Sequence, residues 1–185
     1  MSHRFSRWHL SLRSSPRWQP FRRCPYSAAH LLSHSSGLAQ EGDGHDFRDA
    51  PGRRRLYSNQ GFDVLGQYLQ ASVGVPNTRG IDQSVAAPLG MRATTVPRSP
   101  ASSGFGNAID MTLLIEELLD PQLLTPRSHA ALTTTVLPGL RGILPGYGMQ
   151  RDNAWGLGAE VKANKSPHWT PPEASPSTFG HFGMS

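Results

Sequence analysis

Apolar residues recur along this chain in short bursts, and their spacing predicts helices in the first two thirds and strands in the last. Ala28-Ala29-His30-Leu31-Leu32 opens a short helix that Ser35-Ser36-Gly37 stops. Residues 40–55 are polar and rich in turn formers, which reads as an exposed loop. After Tyr57-Ser58-Asn59, the spacing of Phe62, Leu65 and Leu69 predicts a helix with one apolar face. Residues 71–106 read mainly as loop, with one compact apolar unit from Val85 to Met91. Asn107 is a good N-cap, Asp110 suits the first turn, and Pro121 closes the far end of a helix. Its stripe is Ile109, Leu113, Leu114, Leu118 and Leu119. Thr125-Pro126 starts a shorter helix through Leu132. Beyond Pro138 glycines multiply, and Trp155 to Val161 and Ser177 to Ser185 read as strands. Residues 28–137 are therefore expected to be helix and loop. Residues 139–185 should supply two or three strands of an incomplete antiparallel sheet, an α/β (α+β) arrangement.

Composition narrows the class. With 185 residues, the chain suits one sizeable domain better than two. Glycine (19) and proline (16) exceed their usual combined share of about 12%, in keeping with many turns. One cysteine, Cys24, excludes an internal disulfide framework and a cysteine-based zinc site. No apolar run approaches a membrane span. No continuous apolar stretch near the start suggests a secretory signal, so a cytoplasmic location is the default expectation.

The net charge of +5 invites thought of an anionic partner, but it is unevenly placed. Residues 1–40 hold six arginines and no acid; residues 41–185 carry ten arginines, two lysines and thirteen acids, a net −1. The basic segment 1–27 admits three readings: a transit peptide, a nucleic-acid-binding arm, or the product of a wrong frame or misplaced start. It is expected to be poorly ordered. The remaining body offers no basic face, so no nucleic-acid partner is expected of it.

Self-contained signatures are lacking: there is no phosphate loop, no G-x-G-x-x-G and no G-x-S-x-G. His30 and His34 have the spacing of two imidazoles on one helical face, without the Glu of H-E-x-x-H or a third ligand. They read as packing or surface residues, and no metal or cofactor is expected. Three strings are more specific together: HLLSHSSGL at 30–38, LYSNQGF at 56–62 and FGHFG at 179–183. APLGM at 87–91 and WGLG at 155–158 stand between them. Their order resembles the serine β-lactamase and penicillin-binding protein superfamily, in its class C-type esterase and D,D-peptidase branch. The resemblance covers about residues 28–185.

That resemblance implies a β-lactamase/transpeptidase-like fold with a helical lobe, and an acyl-enzyme mechanism. The tyrosine of Y-x-N matches Tyr57, a phenol whose pKa neighbouring cations would lower so that it accepts the serine proton. Asn59 would bridge a lysine and a substrate amide. The H-x-G strand matches His181, a donor or positive charge beside the substrate, and Gly183, which lets backbone approach. The N–H of Met184 would be half of the oxyanion hole. The substrate class would be a small-molecule or peptide acyl compound: a β-lactam, an ester or a D-Ala-D-Ala-type amide. The oligomeric state is not legible.

One departure is plain. In that family the nucleophile sits in S-x-x-K, and the only lysines here, Lys162 and Lys165, follow Ala159 and Lys162 at that spacing. The leading expectation is a partial serine hydrolase domain, trimmed at both ends and inactive. The alternatives are a non-catalytic ligand-binding module, and a protein whose basic arm targets it or binds nucleic acid. Each residue also has a plain structural reading: Tyr57 as packing, Asn59 as a helix cap, His181 as a strand residue.

Overall fold

The computed structural model describes residues 25–43 and 45–183. The basic segment up to residue 24, and Met184, lie outside those residues. Helix α1, Ala28–Leu32, begins at a capping box in which Ser27 accepts from the His30 N–H and His30 Nδ1 accepts from the Ser27 N–H. Helix α2, Asn59–Val73, is capped by Ser58 and ends at Gly74 in the left-handed region. Leu31 of α1 and Leu65 of α2 meet Tyr26 and Leu38 in the main apolar core, with Val64 and Leu32 at its margin. Leu69, expected on the same face, is exposed.

Residues 71–106 are more helical than the loop the sequence suggested. Helix α3, Asn77–Ile81, runs into a π turn, Asp82–Ala86, and on into α4, Ala87–Leu89. Pro88 lacks the N–H that would bond the Ser84 carbonyl four residues back. The π turn absorbs that lost register, with the Ala87 N–H reaching Asp82 O. Gly90, at φ 74°, stops the run.

Helix α5, Ala108–Leu119, has the foreseen Asn107 cap but not the foreseen inner face. Its buried residues are Asp110 and Glu117, while Ile109 is 73% and Leu119 69% exposed. The reason is polar anchoring. Asp110 accepts from the Ala93 N–H and Thr94 Oγ1, and Glu117 from the N–H groups of Gln122, Leu123 and Leu124. The two carboxylates satisfy loop donors that nothing else in these contacts would. Helix α6, Pro126–Thr133, follows on its Thr125 cap.

The strand region forms two antiparallel pairs. β1, Gly142–Leu144, pairs with β2, Gly148–Gln150. β3, Glu160–Val161, pairs with β4, Phe179–Gly180, in the register Glu160↔Gly180 and Val161↔Phe179. The expected strand from Trp155 is thus shorter, with Trp155 joined to Glu160 by an isolated bridge. Gly156 is obligatory there: a Cβ would lie 1.8 Å from the Leu132 carbonyl oxygen, so α6 and the Trp155 turn touch backbone to backbone. No helix among the described residues is long and apolar enough to cross a membrane.

Candidate active site

Three segments converge beside the N-terminus of α2. The turn after α1 brings His34, the residue before the Ser58 cap is Tyr57, and His181 follows directly on β4. Tyr57 and His181 lie with ring centroids 5.8 Å apart, and Trp155 sits 5.6 Å from His181 and 6.4 Å from Tyr57. Ser58 fixes the helix end: its Oγ donates to Ala39 O at 2.6 Å and accepts the Gly61 N–H at 2.9 Å. The backbone N–H of Asn59 bonds Gln40 O at 2.8 Å, which pins the Y-x-N segment to the 39–41 loop.

A cavity of about 430 Å³ opens beside Tyr57, lined by Gln40, Glu41, Arg48, Leu56, Ile143 and Pro145 among others. A second, of about 310 Å³, lies along α2 between Asp63, Asn77 and Arg98 and does not touch Tyr57. Of these two, the first is the one that Tyr57 lines.

Protonation here differs from the expectation. Burial, and then the Glu41 carboxylate, push the Tyr57 phenol above its usual value rather than below it. Tyr57 is therefore a neutral phenol at ordinary pH. Burial also lowers His181 below the usual imidazole value, against the opposing pull of the Phe182 backbone and Glu160. His181 is accordingly a neutral donor or acceptor near pH 7, not a positive charge. The Asn59 amide, expected to face a lysine and a substrate, donates instead to Glu41 Oε1 at 2.5 Å. At Gly183 an added Cβ would meet nothing within 4 Å, so the backbone there borders open space.

Several residues at the site had no role foreseen from sequence. His30 and His34 do not share a helical face: His30 caps α1, whereas His34 falls beyond its end at φ 51° and is buried. Arg55, expected in an exposed loop, is 1% exposed; its guanidinium donates to the carbonyls of Ser33, Asn153, Val136 and Leu137. Lys165 is buried, with Nζ donating to Ala154 O at 2.6 Å, Glu160 Oε1 at 2.8 Å and Val161 O at 2.5 Å. Trp169 Nε1 donates to the other Glu160 oxygen at 2.6 Å, and His168 Nε2 lies 2.9 Å from Oε1. With all three of its protons taken, Lys165 is a fastener under β3 and has none left for a nucleophile. A charged residue between apolar neighbours was the available sign for Glu160, whereas Arg55 follows two other arginines and its partners are carbonyls, which leave no side-chain trace in sequence.

The tyrosine string, at the start of α2, and the histidine string, at the end of β4, thus meet through the rings of Tyr57 and His181. The Beta-lactamase family profile matches residues 17–185, and the chain belongs to that family. It is similar to the crystal structure of a beta-lactamase from Mycobacterium bovis, with 42% identity and a TM-score of 0.82 over 86% of this chain and 59% of that one. It is 41% identical to the D-alanyl-D-alanine-carboxypeptidase/endopeptidase AmpH of Escherichia coli K12, over 41% of this chain and 26% of that protein. A beta-lactamase/D-alanine carboxypeptidase from Yersinia pestis shares the fold, with a TM-score of 0.59 at 23% identity over 75% of this chain and 53% of that one. The chain thus spans about a quarter of the curated relatives it matches and less than two thirds of these solved structures.

Proposed function

We propose that this chain carries the tyrosine–histidine side of a serine-hydrolase acyl-transfer site and does not by itself turn over an acyl substrate. The observation that carries the reading is the meeting of Tyr57 and His181, distant in sequence, at 5.8 Å beside an open cavity. Tyr57 would exchange a proton with the attacking and leaving groups, Asn59 would bind the substrate amide once released from Glu41, and His181 would donate as a neutral imidazole. Gly183 leaves room for the acyl carbonyl, and the Met184 N–H would supply one oxyanion donor.

Inactivity follows from two features. No serine stands three residues before a lysine, so the nucleophile motif is missing from this sequence. A phenol raised by burial and by Glu41 is also a poor general base until a cation lies beside it. The test offers nitrocefin, p-nitrophenyl esters and a D-Ala-D-Ala peptide to the full chain. Hydrolysis should stay at the buffer rate and be unmoved by Tyr57→Phe. A burst of product that Tyr57→Phe abolishes would overturn the reading.

The cavity supports a second reading, a binding module for a small acyl or peptide ligand. Saturable quenching of tryptophan fluorescence by the same peptide, lost in Tyr57→Ala, would favour it over a mere remnant.

A further inference from the structure

Against Tyr57 lies a side chain that the proposed chemistry does not employ. The His34 imidazole stacks on the Tyr57 ring, with centroids 4.4 Å apart and planes inclined by 29°. The same imidazole meets Trp155 edge-on at 4.5 Å and Phe62 at 5.1 Å, so it is wedged among three rings. Its Nδ1 accepts the backbone N–H of Ser58, the next residue after Tyr57, at 3.1 Å. The proton of the neutral ring therefore belongs on Nε2, which is buried and has no partner.

That arrangement is costly, because a buried unpaired donor loses its hydration for nothing. Phenylalanine would keep the stack without the orphan but would strand the Ser58 N–H. Asparagine would accept from Ser58 and tolerate the left-handed turn at φ 51°, but would leave Tyr57 without a backing ring. Only an imidazole does both at this position.

We propose that His34 is a positioning residue for Tyr57: its ring backs the phenol while its Nδ1 pins the following backbone, holding Tyr57 beside His181. Its bearing on catalysis rests on Tyr57 belonging to the site, as proposed above; the contact itself does not. The charged and titratable groups acting on the pair are Glu41 on Tyr57, and His181 and Arg55 on His34. Burial first, then Arg55 and at acid pH a protonated His181, keep the imidazole neutral, so the phenol meets an aromatic face and not a cation.

The test titrates Tyr57 by its ultraviolet difference signal in the full chain, isolated by subtracting Tyr57→Phe. In the unaltered chain the phenol should ionise above its usual range. His34→Asn should bring it about one pH unit lower as water reaches the ring. His34→Phe should keep it high while amide exchange at Ser58 rises about tenfold. Equal Tyr57 titration in the unaltered chain and His34→Asn would overturn the proposal. A measurement independent of any variant's folding is the nitrogen spectrum of His34 itself. Unprotonated Nδ1, protonated Nε2 and a ring-to-ring contact with Tyr57 support the proposal; titration of His34 near its ordinary 6.5 overturns it. Every arm reads a contact or a proton and none reads turnover, so failure of the acyl-transfer reading and failure of the His34 proposal are distinguishable.

Discussion

His34 stays neutral in the folded chain because burial deprives its cation of water, and at acid pH protonated His181, with Arg55, adds like charge, which together hold its pKa at about 3. In the unfolded chain the same imidazole takes up a proton at its ordinary 6.5. The stability gained by keeping it neutral is complete above pH 6.5 and is lost as the pH falls towards 3. Over that window a single such group costs about 1.4 kcal/mol of stability per pH unit. His30 and His181 are also lowered by burial and push the same way. Comparison of the unaltered chain with His34→Asn isolates the one residue. Urea midpoints measured from pH 7 to pH 4 should fall less steeply in the variant, by the slope of one proton. Parallel slopes would show that His34 titrates alike in both states.

At the scale of elements, the end of α2 is held by Ser58, which both caps the helix and ties it to Ala39. Ser58→Ala removes the cap and the tie and should cost about 2 kcal/mol, the upper part of the range for a lost cap. The denaturant midpoint would report it, and a change under about 0.5 kcal/mol, the scatter of an ordinary surface substitution, would refute it. Two caps of this kind were legible in advance, whereas here the sequence offered Asn59, which is the first residue of α2 and not its cap. Asn107 and Thr125 announce their helices because short polar side chains bond the first free N–H groups whatever the tertiary context. The face of α5 was not legible, since periodicity counts Ile109 and Leu119 as inward and cannot know that Asp110 and Glu117 have loop N–H groups to satisfy. The run through α3 and α4 escaped for a related reason. Glycine and proline there suggested a loop, and a π turn upstream of Pro88 lets the helix continue. The ordered strings singled out Tyr57 and His181, which the fold brings within 5.8 Å, whereas their protonation was not legible, because burial and Glu41 are properties of the packed chain.

For the whole molecule, the uneven charge of the sequence says little about what joins its parts; one buried cation says more. Arg55 donates through Nε to Asn153 O at 2.7 Å and through one terminal nitrogen to Ser33 O at 2.6 Å. The other terminal nitrogen reaches the carbonyls of Val136 and Leu137, and the Arg55 N–H bonds Arg141 O at 2.9 Å. The turn after α1, the segment after α6 and the approach to Trp155 thus share one guanidinium, and the backbone of the same residue holds the entry to β1. Burial lowers its pKa to about 10, which still leaves it charged at neutral pH. Arg55→Lys keeps the charge but offers a compact ammonium in place of a planar fork. At least two carbonyls should lose their donor, at about 1.5–3 kcal/mol for each bond to a charged group. The guanidinium-chloride midpoint should therefore drop by the equivalent of about 3 kcal/mol or more. If Arg55 joins the helical and strand regions, far-ultraviolet dichroism and the fluorescence of Trp155, which sits across that junction, should change together in the unaltered chain. Two separated transitions in the variant, with Trp155 released first, would locate the joint at Arg55. An unchanged midpoint would mean that the regions are held by the Leu31–Leu65 core and the Glu160–Lys165 pair without it.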